Sequence, residues 1–261
     1  MSKRRRLLCE LPPPTDQGRV HNPSHPMLAI GFVYVVAFAL LWGASSGGGA
    51  TLASLGVSLV GQGVCLVAAV HWLEGVDIAH VPAKLGVAPA PARAWWAGAI
   101  AGAAALVTLR RLPSPLPDAI ATTTAAGAGA IALHVVVLLL AAGWTEGFYR
   151  GFVFRALMRR HGFLISAAVS TLLLALATRV TPHPMWSAPQ AWAVAAAEVP
   201  LSLAMCMLFW LHGAALGPVL LVRAAVVAAT WTSPSPWPAL AAAGVIFVVL
   251  RARRAAGAAA R

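Results

Sequence analysis

Apolar residues run along this chain in blocks, separated by short stretches where proline, glycine and charge collect. The blocks fall at 27–44, 50–72, 94–109, 127–160, 162–177, 191–211, 216–231 and 237–250. Most approach the roughly 20 residues that carry an α-helix across about 30 Å of hydrocarbon. Within a block there is no polar stripe at helical spacing, and a helix apolar all round belongs inside a large core or a bilayer. The breaks are equally plain. Ser-Ser-Gly-Gly-Gly at 45–49 closes the first block, 73–93 carries Glu74, Asp77, Lys84 and Arg93 among three prolines, and 110–125 and 179–190 are proline-containing loops. The block 127–160 is too long for one simple crossing, so its C-terminal part is expected to leave the membrane or to lie along its surface. The pattern predicts an all-α polytopic bundle of about eight transmembrane helices, one membrane domain over 27–250, between a disordered basic tail at 1–26 and a basic tail at 251–261.

Composition strengthens this reading. The chain is 60% hydrophobic and only 10% charged, and its mean hydropathy is +0.80, outside the range of soluble globular domains. A formal charge of +12 raises nucleic acid as a partner. However, the basic residues gather at block ends and in the tails (Lys3, Arg4, Arg5 and Arg6; Arg251, Arg253, Arg254 and Arg261), which is the pattern of topology and anionic-lipid contact. No nucleic-acid role is expected. Arg155, Arg159 and Arg160 place the end of the fourth block in the cytoplasm, in agreement with a cytoplasmic N-terminus and an even number of crossings. Both tails are then cytoplasmic, in a multi-pass protein of the cell's inner (plasma) membrane, with Arg110, Arg111 and Arg179 as exceptions on the outer side. Cys9, Cys65 and Cys206 are scattered without metal-ligand spacing. Cys9 follows the first basic cluster too closely for a secretory apolar segment, so no cleavable signal peptide is expected.

Against this background a few polar residues stand out inside the apolar blocks: His134, Thr145, Glu146, Arg150, Thr178, Glu198, His212 and Arg223. A charged side chain at bilayer depth costs at least roughly 2.5–3.5 kcal/mol, so such a group is functional or tightly paired. Glu146 and Arg150, four apart, share a helix face and can pair. Arg223 is expected to point into the bundle and meet Glu146 or Glu198. His134 and Glu146 point about 120° apart and lie about 18 Å apart along a helix, so they cannot share a metal. His134 reads as a packing residue and His212 as an interfacial one. Gly143, Gly147 and Gly151 form a small-residue stripe suited to close helix approach. Pro200, two residues after Glu198, removes one backbone hydrogen bond from the sixth span and predicts a kink there.

The stretch 143–157, GWTEGFYRGFVFRAL, resembles the first motif of the CAAX-processing and bacteriocin-processing (CPBP) family of intramembrane metal-dependent endopeptidases, Glu-Glu-x-x-x-Arg-Gly with an aromatic residue before the arginine. Glu146, Tyr149, Arg150 and Gly151 match, and "AKLGVAP" before the third span is similar to the family's Leu-Gly signature there. The resemblance covers roughly 80–230 and implies a CPBP-like helical core and peptide-bond hydrolysis with a divalent metal such as zinc. It also locates the departures. Thr145 replaces the water-activating glutamate, Leu174 and Thr178 replace Phe and His of the second motif, and Arg223 and Val227 replace His and Asn of the third. A threonine is no carboxylate base near neutral pH, and a guanidinium cannot ligate a metal as imidazole does. The leading expectation is therefore a catalytically degenerate relative without a metal cofactor, which contacts membrane lipid and binds or protects a membrane-associated protein or peptide. Two alternatives stay open. One is an active endopeptidase using Glu146, helped by His134, His183 or His212 and carrying zinc or another divalent metal. The other is a small transporter or channel subunit with Glu198 and Arg223 lining a polar path.

Overall fold

The computed structural model describes residues 30–36, 39, 52–87, 89–109, 128–180, 187–232 and 235–259. The expected tail 1–26, much of the first block, the whole loop 110–125 with Arg110 and Arg111, and the loop residues Pro182, His183 and Pro184 lie outside them. Among the described residues every regular element is helical. After the helical residues 30–36 come α1 (Leu52–Glu74), a 3₁₀ turn (Ile78–His80), α2 (Val81–Leu85), α3 (Ala92–Leu109), α4 (Ala128–Glu146), a π-helical segment (Gly147–Phe154), α5 (Arg155–Val180), α6 (Ala188–Leu211), α7 (Gly217–Thr232) and α8 (Trp237–Ala259). The all-α bundle expected from the apolar blocks is the observed fold class.

The ends of these helices follow from local chemistry. Ser187 caps α6 in a capping box with Gln190, satisfying backbone donors that the first turn leaves open. Gly86 closes α2 with φ 98°, in the left-handed region that glycine enters without steric cost. Within α5, Gly162 takes φ 72° and ψ −179°, so the helix turns a corner there. The long block 127–160 thus ends in a short segment, 155–161, set apart from the remainder of α5. Pro200 lies inside α6, which continues to Leu211. At the C-terminus α8 runs to Ala259, so the alanine-rich stretch after Arg254 is helical where the block pattern ends the span at 250. Alanine has the highest helix propensity, and a run of it extends a helix already started.

Close contacts fix how the helices run. A Cβ on Gly98 would sit 2.6 Å from the Pro218 carbonyl oxygen, and Gly102 faces Leu221 and Ala225, so α3 and α7 lie parallel at close range. Gly56 meets Val137 and Gly147 meets Leu66, which makes α1 and α4 parallel as well. In contrast, α5 and α6 are antiparallel: Phe163 packs on Trp210, Thr171 bonds to Ser202, and the Arg179 guanidinium lies over the Trp192 ring. The connection after α1, the end of the π segment and the turn between α6 and α7 therefore meet at one end of the bundle. There the Leu216 amide donates to the Gly86 carbonyl at 2.8 Å, Arg155 Nη1 donates to the Lys84 carbonyl, and Gly151 presses on the backbone of Leu85, whose oxygen would lie 2.6 Å from a Cβ. Lys84, Leu85 and Gly86 of "AKLGVAP" are thus part of this interlock.

Among the described residues two helical stretches, Ala132–Arg179 and Ala188–Leu211, are long and apolar enough to cross a membrane, and Gly56–Trp72, Gly217–Thr230 and Trp237–Ala252 are shorter apolar helices. Their outward faces are apolar too: Val135, Val136 and Leu139 on α4, and Leu164, Ile165, Leu172 and Leu176 on α5, are all exposed.

Candidate functional site

The stretch that carries Glu146 and Arg150 is not a plain α-helix. From Gly147 to Phe154 the backbone is π-helical and all eight residues are buried. A π turn closes its hydrogen bonds over five residues in place of four and widens the helix, a geometry frequent at functional sites. Aromatic side chains fill the surroundings of this wide turn. Phe148 stacks on Trp144 with ring centroids 5.1 Å apart and meets Tyr149 edge-on at 5.0 Å, while Phe154 stands edge-on to Phe163 and Phe209 at 5.7 and 6.0 Å. These are the offset and edge-to-face arrangements that aromatic quadrupoles favour. The aromatic packing fixes the wall from which Glu146 and Arg150 project.

Glu146, Glu198, Arg150 and Arg223 converge in the middle of the bundle. Arg223 on α7 is the hub: its Nε donates to Glu146 Oε1 at 2.8 Å, and its Nη1 donates to both carboxylate oxygens of Glu198 at 2.7 and 2.9 Å. Arg150 donates from Nη1 to Glu146 Oε1 at 3.3 Å, and from Nη2 to the Ser202 hydroxyl at 2.7 Å. Thr171 on α5 donates to the same hydroxyl at 3.0 Å, and Ser170 donates to the Tyr149 carbonyl at 2.9 Å. Glu146 and Arg150 have no solvent exposure, and Glu198 and Arg223 almost none. Two carboxylates and two guanidiniums cancel in charge, which makes burial of four ionised groups tolerable. Three atoms in the cluster lack a hydrogen bond of good geometry: Glu146 Oε2, Arg150 Nε and Arg223 Nη2. The first two lie 3.3 Å apart and still attract.

The expectation that Arg223 would meet Glu146 or Glu198 is therefore met on both sides. The other sequence candidates stand apart from the hub. Thr145 and Thr178 each bond back to their own helix, to the carbonyls of Ala141 at 2.8 Å and Leu174 at 3.0 Å. Val227 is half-buried one turn beyond Arg223. His134 is half-buried on α4, and His212 is a buried residue capping the end of α6. The glycine stripe is not one seam. Gly151 touches backbone, Gly147 makes an ordinary side-chain contact, and nothing lies within 4 Å of a Cβ on Gly143.

Ser202 and Thr171 belong to the site, although neither stands out in the sequence. A signal was there: Ser202 lies four residues after Glu198, on the same helical face. Hydroxyls are common inside apolar helices because they can bond to their own backbone, so composition alone does not separate Ser202 from Thr145 or Thr178.

The residues present do not fit a divalent metal. Among the described residues no group of three or more His, Cys, Asp and Glu side chains converges. Glu146 and Glu198, the two carboxylates that approach each other, hold between them a guanidinium, which has donors only and repels a cation.

No protein-family profile matches the chain, and no curated protein and no solved structure shows significant similarity to it.

Proposed function

We propose that this chain is a multi-pass membrane protein built on a CPBP-like helical core that has exchanged hydrolysis for binding, holding or protecting a membrane-associated protein or peptide. Several features support a membrane setting. The outward faces are apolar, and exposed tryptophans gather at both ends of the bundle. Trp72, Trp95 and Trp96 sit at the end that holds the 75–91 connection, and Trp192 and Trp237 at the opposite end, as in the aromatic belts of spanning proteins. Among the described residues Lys84, Arg93, Arg155, Arg159, Arg160 and Arg251 lie at the first end, with Arg179 at the other. This favours a cytoplasmic location for the first end and a plasma-membrane topology with both termini inside.

The single observation that carries the non-hydrolytic reading is the position of Arg223. A carboxylate that activates water must accept a proton near neutral pH. Glu146 instead accepts from two guanidiniums, and Arg223, at the position where the resembled third motif has a histidine, bonds to both carboxylates. The arrangement keeps both carboxylates bonded, which suits them to joining α4, α6 and α7.

The test is direct. The protein purified in detergent is incubated with fluorogenic prenylated peptides, with and without added zinc, and a photo-crosslinker placed near the cytoplasmic end of α6 captures its partner in cells. The proposal expects no turnover, substoichiometric zinc, and capture that survives Glu146→Gln. Stoichiometric zinc together with cleavage abolished by Glu146→Gln would overturn it in favour of the active endopeptidase.

A further inference from the structure

A second charged cluster lies at the same end of the bundle as Trp72, Trp95 and Trp96, away from the Arg223 hub. Glu74, at the last residue of α1, is buried, and Lys84 Nζ sits 3.1 Å from its Oε2. Arg155, one residue past the π segment, donates from Nη1 to the Lys84 carbonyl and is held there half-buried. Arg159, four residues on, shares a helical face with Arg155 and is exposed. Lys84 is thus paired with the buried Glu74 while Arg155 and Arg159 lie near it, so the cations of this cluster outnumber its one buried carboxylate. The nearby Asp77 makes its contact with His80, at 3.9 Å, in the exposed part of the connection. Burial pushes the Lys84 ammonium below its ordinary value; Glu74 opposes this, and Arg159 and Arg155 add to it. Like charges four apart on a helix repel, and the bond to the Lys84 carbonyl fixes the Arg155 guanidinium in place despite this. Such an arrangement is stable when an anion supplies the missing negative charge.

We propose that Lys84, Arg155 and Arg159 form a site for the phosphate headgroup of an anionic lipid, with the acyl chains lying along the apolar outer faces of the helices and the exposed tryptophans beside them at the interface. The proposal rests on the membrane reading above. Its chemistry is that of basic pockets between helix ends on the cytoplasmic side, where a fixed cluster adds to the attraction of a negative leaflet. The bidentate geometry of a guanidinium suits phosphate oxygens, and an ammonium adds a point charge.

The experiment uses the full chain in neutral detergent, with phosphatidylglycerol or phosphatidylcholine titrated in and thermal unfolding read. Phosphatidylglycerol is expected to raise the Tm saturably and phosphatidylcholine to leave it unchanged. Lys84→Gln and Arg159→Gln should each weaken the apparent affinity about fivefold, the equivalent of one basic residue at an anionic surface, while Arg251→Gln, an exposed cation outside the cluster, should not. Arg159→Gln keeps the test readable if Lys84→Gln fails to fold. Equal shifts with both lipids, or a response that both variants leave intact, would overturn the site. Inorganic phosphate producing the same shift would show a free-anion site and overturn the lipid assignment. The membrane reading fails by a separate result, release of the protein from membranes by alkaline carbonate.

Discussion

Arg223 decides the character of the central cluster because, among the described residues, it is the charged partner Glu198 relies on, whereas Glu146 keeps Arg150. Replacing Arg223 with methionine should destabilise the protein by about 3–5 kcal/mol, since it leaves a buried carboxylate uncompensated. Adding Glu198→Gln to that variant should recover part of the loss, which thermal unfolding of the single and double variants in detergent will measure. If the double variant loses the sum of the two single effects, the coupling is absent. The glycines make a second contrast. Gly151→Ala forces a Cβ to 2.6 Å from the Leu85 carbonyl oxygen and should cost about 1–3 kcal/mol, as overpacking does. Gly143→Ala enters open space and should be neutral or stabilising by up to about 1 kcal/mol, because alanine is the better helix former. Equal effects at the two positions would contradict the geometry. The charged residues were legible one by one as costly intruders in apolar blocks. Which of them would touch was less so: the Glu146–Arg150 spacing pointed to a pair, but the joint claim of Glu146 and Glu198 on Arg223 spans three helices.

At the scale of elements, Gly162 and Ser187 mark two boundaries that differ in kind. Gly162 holds a backbone conformation open essentially to glycine alone. Gly162→Ala should therefore cost about 1–3 kcal/mol and loosen the joint between the 155–161 segment and the rest of α5, seen as a lower Tm and faster proteolysis near that joint. Ser187→Ala removes a capping box and should cost about 0.5–2 kcal/mol, measured the same way. Helix existence and extent were readable from apolar block length, and just past the overlong block 127–160 the backbone turns a corner at Gly162. The π turn was not readable, because Gly-Phe-Tyr-Arg-Gly-Phe-Val-Phe has no backbone signature that separates a wide turn from an α-turn. The helical extension to Ala259 escapes a reading that takes apolar block length as the limit of the helix, because alanine propagates a helix without needing apolar neighbours.

For the whole molecule, the arrangement of tryptophans and arginines makes orientation testable. In a background with Cys9, Cys65 and Cys206 changed to serine, Arg159→Cys and Ser187→Cys should react with an impermeant maleimide from opposite faces of the membrane. Ser187→Cys should label in intact cells and Arg159→Cys only after permeabilisation. Labelling of both from one side would refute the proposed topology and, with it, the cytoplasmic placement of the basic cluster.

The sequence by itself determined that the chain folds as an all-helical bundle, where most helices begin and end, and that Glu146, Arg150, Glu198 and Arg223 must be paired. These follow from local quantities: block length, propensity, and the cost of a charge in an apolar run. Only the tertiary structure decided that Arg223 bridges two carboxylates, that Ser202 and Thr171 complete the site while Thr145 and Thr178 turn to their own backbones, and that Gly86 and Gly151 lock the 75–91 connection onto the end of the bundle. Contacts of this kind depend on helix rotation and register between segments some 25 to 130 residues apart, and a single chain's local pattern leaves that rotation free until the helices pack.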